Sequence, residues 1–276
     1  MAMIINTNIS AIAAQNSLRT SSLNQQSAME RLSSGMRINN AKDDAAGLAI
    51  STRMTAAIRG MDAAMRNAND GISVTQTAEG SLAAIQDSLQ RIRELAVQAA
   101  NDTNGTDDRA SLDGEAQALL KEIDRVVKVT TFNGNALIDG SYTTKKIQVG
   151  SGDSADDVIE LSIGDASTAA SGLNLATLKL DTQANATTAL GSLDDAINKV
   201  TTLRSDMGAA QNRFNAVVTN LSNTTMNLQA SRSRILDTDY ARETTNLAKA
   251  QIIQQAATAM LAQANQSSQS VLALLK

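Results

Sequence analysis

Apolar positions along this chain recur in alternating steps of four and three residues, the repeat that keeps one face of an α-helix turned toward a neighbouring helix. From Ile50 the step runs through Met54, Ala57, Met61, Ala64, Ala68, Gly71, Thr75, Ala78, Leu82, Ile85, Leu89, Ile92, Ala96 and Ala99, and in this run only Gly71 and Thr75 are poor core residues. The run predicts one helix of roughly fifty residues, on the order of 75 Å long at about 1.5 Å per residue. "NDTNGTDD" then breaks the pattern, because Asn-Gly favours a turn and the paired Asp residues suit the start of a new helix. Leu112, Ala116, Leu119, Ile123 and Val126 resume the repeat in a shorter helix that should fold back on the first. Much later the step returns from Leu193 to Ile235, through Arg204, Gln211, Thr225 and Arg232 among its apolar members, which predicts a looser seam. Two further stripes lie near the ends: Ile5, Ile9 and Ile12, and then Ile253, Ala257, Met260, Ala264, Ser267, Val271 and Leu274.

Between Phe132 and about Gln183 the pattern changes. "FNGNALIDG" carries turn signals, "KKIQV" and "DVIELSI" concentrate β-branched residues, and "GSGD" between them can close a β-hairpin. The expected fold is mainly α, a long antiparallel helical hairpin or coiled-coil bundle with a small β-hairpin-containing insertion at its tip. Residues 1–44 with 236–276 would form a terminal helical pair, 45–140 with 184–235 a helical rod, and 141–183 a short tip. The terminal stripes can cover each other, but two thin Ala-rich helices bury little area and are marginal in water alone. Leu261, Leu272 and Leu275 fall outside the pair in this reading, so further copies of the chain are expected as the missing cover.

Composition narrows the chemistry. The chain has 276 residues, of which 42 % are hydrophobic but 1 % aromatic, so its apolar content is mostly small side chains that suit closely approaching helices. Pro is absent, and nothing removes a backbone donor from a long helix. With no Cys and no His the chain lacks thiolate chemistry, the usual zinc ligands and the commonest proton shuttle near neutral pH. No Gly-rich phosphate loop with a following Lys is present, and the carboxylate pairs Asp43 with Asp44, Asp107 with Asp108, and Asp156 with Asp157 read as helix caps and turns. A non-enzyme without cofactor or metal is expected. The net charge of −4 gives no electrostatic footprint for nucleic acid, and the basic group Arg232 to Arg234 reads as a solvated helix face. "MAMIINTNIS" is neither a signal peptide nor a membrane span, so passage out of a cell would use a route without a cleaved leader.

The same segments carry a family resemblance. "NTNISAIAAQNSL", "RLSSGMRINNAKDDAAGLAIS", "SLQRIRELAVQAAN", "EIDRVVKVTTFNG" and "AQIIQQAATAMLAQANQ" resemble, in order, the terminal regions of bacterial flagellin, over roughly the first 140 and last 85 residues. That resemblance implies a structural subunit that polymerises with other copies into the extracellular flagellar filament for swimming. It also implies export unfolded through the flagellar type III pathway, a chaperone at the C-terminal region, filament cap and hook-junction partners, and terminal segments that order into a channel-lining helical pair on polymerisation. The filament interface would then include Ile5, Ile9, Ile12, Ile253, Met260, Val271 and Leu274. "QRIREL" resembles the flagellin site sensed by a host Toll-like receptor, with Arg91, Leu95 and Glu115 matching the family's contact residues; interface packing is the alternative role for Leu95. Two other readings fit the helical pattern: a hook-filament junction or other flagellar axial protein, and a cytoplasmic hairpin of the chemoreceptor type.

Overall fold

A computed structural model describes residues 7–273, with side chains to residue 266. Five helices dominate: α1 (Ile9–Ser34), α2 (Ala45–Ala99), α3 (Thr106–Val129), α4 (Gln183–Leu236) and α5 (Tyr240–Ala273). Four short strands lie between α3 and α4: β1 (Thr131–Phe132), β2 (Asn135–Ala136), β3 (Lys145–Gln148) and β4 (Val158–Leu161). The fold is therefore mainly α with a small antiparallel hairpin, as the pattern predicts. The chain divides into two compact units, residues 1–56 with 227–276 and residues 57–226.

In the larger unit the four-three seam of α2 is buried along Ala64, Ala68, Gly71, Thr75, Ala78, Leu82, Ile85, Leu89, Ile92, Ala96 and Ala99. The two apparent faults in that seam have physical reasons. A Cβ on Gly71 would stand 2.9 Å from Cζ of Phe214 and 3.0 Å from Cδ1 of Ile147, so the missing side chain makes room for the buried ring. Thr75 satisfies its hydroxyl within the helix by donating to the carbonyl oxygens of Gly71 and Ile72, at 3.1 and 2.8 Å. Opposite, α4 runs antiparallel to α2. Arg93 pairs with Asp194 at 2.6 Å and Arg204 with Glu79 at 2.7 Å, so partners on one helix descend as those on the other ascend. Arg204 occupies a seam position by also donating to Oε1 of Gln86 at 2.6 Å, which keeps its charge at the edge of the core. α3 folds back as expected, with Ala116, Leu120, Ile123 and Val127 buried. Its start differs in detail: Asp108 reaches back to accept the Gly105 N–H at 3.0 Å, so the carboxylate acts from inside the first turn.

The hairpin of the insertion packs on the sides of α2 and α4 within the larger unit. Asn67 of α2 donates to the Gln148 carbonyl at 3.0 Å, and Val149 and Ile159 pack with Ala68 and Phe214 in a small apolar cluster. The returning segment lines α3, where Leu180 donates its N–H to Asp113 at 2.7 Å and Gln117 donates to the Leu178 carbonyl at 2.7 Å. Leu137, Ile138, Ile163, Leu175 and Leu180 are thereby added to the main core. The reason is area: strands of four residues cannot bury an apolar face alone, and the helices supply the partner surface. Asn133 and Gly134, at φ 50° and 79°, close the β1–β2 turn in the left-handed conformation that Asn-Gly favours.

The smaller unit rests on α1 packed antiparallel to α5. Asn8 donates to the Ala264 carbonyl at 2.9 Å, Ser21 to the Ala250 carbonyl at 2.7 Å, and Gly35 accepts the Thr238 N–H at 2.9 Å. Every seventh residue is buried: Ala14, Ser21 and Ala28 on α1, and Glu243, Ala250, Ala257 and Ala264 on α5. Such small side chains let the two backbones come close enough for the Ser21 hydroxyl to reach a carbonyl across the pair. α1 ends at Gly35, whose left-handed φ of 71° lets its N–H return to the Arg31 carbonyl.

Candidate functional site

On α1 and α5 the buried positions are mostly small, Leu18, Leu32, Leu247 and Leu261 are half-buried, and the other large apolar side chains described are exposed. Ile9, Ile12, Leu23, Met29, Ile252, Ile253 and Met260 are all exposed, from 40 % for Ile253 to 68 % for Ile9. Among the described residues, nine of the twelve exposed large hydrophobic side chains belong to the smaller unit. Eight of these nine lie on α1 and α5 and the ninth, Ile50, on α2, a concentration beyond the scattered exposed Leu or Ile residues that are normal. Of the predicted interface residues, Ile9, Ile12, Ile253 and Met260 are on this outward surface; Ile5 and Leu274 lie outside the described residues, and Val271 outside those whose side chains are described. Leu261, expected outside the pair, is instead half-buried within it.

Leu23, Met29 and Ile252 are likewise exposed on these two helices, and the sequence stripes missed them because they lie beyond Ile12 and before Ile253. The signal that finds them is the complement of the seven-residue repeat. Along α1 the buried line of Ala14, Ser21 and Ala28, flanked by half-buried Leu18 and Leu32, leaves Ile9, Ile12, Leu23 and Met29 exposed. Between α1 and α5 runs a polar groove of about 680 Å³, lined by Asn16, Ser17, Asn24, Asn246 and Ile253, with Arg31 3.9 Å from the buried carboxylate of Glu243.

The second predicted site is an ion-pair cluster on the larger unit. The Arg91 guanidinium donates to Oε1 of Glu115 from Nε at 3.1 Å and Nη2 at 2.9 Å, and to Oε2 of Glu94 at 3.0 Å. These hydrogen bonds, Glu115 first and Glu94 second, raise the Arg91 pKa still further above its ordinary value. Arg91 and Glu115 are exposed, whereas Leu95 is 1 % exposed in the main core, so the structure brings the two charged residues together and places the third beneath them. The first carboxylate pair acts as turn and cap acceptors: Asp43 takes the N–H groups of Asn39 and Asn40, and Asp44 takes the N–H of Gly47 at 2.8 Å. The Asn40 and Asn39 hydrogen bonds, helped by Lys42 and Arg31, hold the Asp43 carboxyl below its ordinary range. No group of three or more acidic side chains among the described residues is placed to hold a metal ion.

Residues 5–143 match the bacterial flagellin N-terminal helical region, and residues 190–275 match the bacterial flagellin C-terminal helical region. The chain belongs to the bacterial flagellin family. It is similar to the flagellin of Halalkalibacterium halodurans, 46 % identical over 274 residues that cover 99 % of this chain and 100 % of that one. It is 43 % identical over 286 residues to the flagellar filament 33 kDa core protein of Treponema phagedenis, covering 99 % of this chain and 100 % of that protein. Among solved structures, the crystal structure of Bacillus cereus flagellin matches with a TM-score of 0.51 at 34 % identity, over 60 % of this chain and 94 % of that one. The two matched family regions contain the whole of α1, α2, α3 and the outward apolar surface described for α1 and α5.

Proposed function

We propose that this flagellin is a structural subunit that polymerises with other copies of itself into the bacterial flagellar filament. The observation that carries the proposal is the concentration of exposed large apolar side chains on α1 and α5, a surface that sister subunits would cover. Family membership favours this reading over a chemoreceptor-like hairpin, and the full-length similarity to filament flagellins favours it over a junction protein. Buried apolar area between copies would supply what the Ala and Ser seam of the α1–α5 pair lacks, so that ordering of the pair and assembly are one event. Export without a cleaved leader, a chaperone on the C-terminal region, and cap and hook-junction partners belong to the same reading. No helix among the described residues is long and apolar enough to cross a membrane.

The test is seeded growth. Purified chain added to short filament fragments should extend them into tubes seen by electron microscopy, and a chain lacking residues 251–276 should not, while its circular dichroism keeps the helicity of the larger unit. Normal filaments from the truncated chain would defeat the proposal.

Recognition by a host Toll-like receptor belongs to the same reading. Arg91 and Glu115 would offer the exposed charged contact, and Leu95 would act from below by fixing the α2 surface that presents Arg91. Under this reading Arg91→Ala weakens receptor binding without loss of helicity, whereas Leu95→Ala does so together with a loss of thermal stability.

A further inference from the structure

Methionine is the one oxidisable sulfur in a chain without Cys, and the chain has ten of them. Their surroundings differ sharply. Met207 is 1 % exposed in the main core, whereas Met29 on α1 and Met260 on α5 are 55 % and 66 % exposed on the helices of the smaller unit. Met226, 62 % exposed on α4, belongs to the other unit. Oxidation follows access, so in the free chain Met29 and Met260 stand among the first thioethers an oxidant meets. A methionine sulfoxide is polar, and it turns a flexible apolar contact into a group that must be hydrated or hydrogen-bonded.

We propose that Met29 and Met260 make assembly of this chain sensitive to oxidation: a peroxide converts them to sulfoxides in the free subunit and thereby blocks polymerisation. The step is an oxygen transfer. A lone pair of the thioether sulfur attacks one oxygen of hydrogen peroxide, an S–O bond forms as the O–O bond breaks, and the departing hydroxide takes up a proton and leaves as water. Sulfur is oxidised by two electrons and the peroxide is reduced by two. The same reaction at Met226 adds a polar group outside the α1–α5 surface, and Met207 is shielded by its burial. The chemistry depends on the α1–α5 surface being the interface, so the inference rests on the assembly reading of the preceding section.

The experiment treats the free full-length chain with hydrogen peroxide, maps oxidised methionines by peptide mass spectrometry, and follows seeded growth by light scattering and electron microscopy. The untreated chain should grow. The chain oxidised at Met29 and Met260 should show growth reduced by about tenfold or more, the scale of one unpaired polar group in an apolar contact. Methionine sulfoxide reductase should restore it, and the double variant M29L/M260L should grow equally well before and after peroxide. Normal growth of the oxidised chain, or an equal loss in the peroxide-treated double variant, would overturn the proposal. If the untreated double variant grows poorly, reductase rescue of the oxidised natural chain decides, and failure of that rescue overturns it. An untreated natural chain that never grows overturns the assembly reading itself, and the oxidation inference with it.

Discussion

Along α2 the buried line is Leu82, Ile85, Leu89 and Ile92, while along α5 it is Glu243, Ala250, Ala257 and Ala264. The two helices share a seven-residue repeat and differ in the size of what it buries. In the larger unit three helices and the returning insertion enclose branched side chains, each contributing about 1.5–3 kcal/mol when fully buried. In the smaller unit two helices fully bury only methyl groups, one hydroxyl and one carboxylate, keep Leu18, Leu32, Leu247 and Leu261 half-buried, and leave side chains such as Ile9, Leu23 and Ile252 exposed. Period thus tells which way a helix faces, and side-chain volume tells whether the facing surface can hold the helix by itself. A helix pair that leaves so many large apolar residues exposed has surface to spare for further contacts.

The comparison breaks most visibly under cavity mutations. Leu89→Ala should cost about 2–5 kcal/mol of the larger unit's stability in urea unfolding, because Leu89 is fully buried among rigid neighbours. Ile253→Ala should leave unfolding of the free chain within about 0.5 kcal/mol, since its side chain is exposed there, yet it should weaken seeded growth. Equal effects of the two changes on unfolding would erase the distinction between the units.

A second pair sharpens the account of α2. Gly71→Ala should destabilise by about 1–3 kcal/mol, because a methyl group there meets the Phe214 ring, and Phe214→Leu in the same chain should recover part of the loss. Gly80→Ala on the same helix meets nothing within 4 Å and should stabilise by about 0.5–1 kcal/mol. Thermal denaturation of the three variants gives both signs. In the smaller unit, Ser21→Ala removes the hydroxyl that bridges to the Ala250 carbonyl and should cost about 1 kcal/mol of local stability, read as faster amide exchange in α1 and α5.

The smallest effect is expected from acid. Burial alone would raise the Asp165 carboxyl, but hydrogen bonds from the backbone and hydroxyl of Ser167 and from Ser171 outweigh it and hold the group below its ordinary value. A depressed folded pKa means that the loop is stabilised above the unfolded value of about 3.9 and loses that stabilisation as the pH falls through the lower folded value. Asp165→Asn should therefore flatten the acid limb of the stability profile below about pH 4, with little change near neutrality.

Much of this was legible in the chain. From Ala64 to Ala99 the α2 seam could be read position by position, because a long uninterrupted repeat has one register and no Pro to reset it, whereas before Ala64 the predicted Ile50 is exposed and Ser51 and Ile58 are buried instead. The Asn133-Gly134 turn was equally plain, since few residue pairs accept two left-handed conformations in succession. Three things were hidden. Gly71 looked like a fault until the Phe214 ring, 143 residues later, was seen to need the space. The stretch of α2 that the hairpin meets was hidden, because its strands carry no label for it; Asn67 and Gln148 show it by a hydrogen bond 81 residues apart in sequence. The inner line of α5 was blurred because Ala is common on every face of that helix, so the four-three step could pass through Ile253 and Met260, which face outward, as easily as through Ala250.

The central claim is that the α1–α5 pair is incomplete without neighbouring copies, and amide hydrogen exchange measured on the free chain and on filaments tests it most directly. The account predicts that residues 9–34 and 240–266 exchange far faster than the Leu82 to Ile92 core of α2 in the free chain, and approach its protection in filaments. Protection of both helices in the free chain equal to that of the α2 core would contradict it.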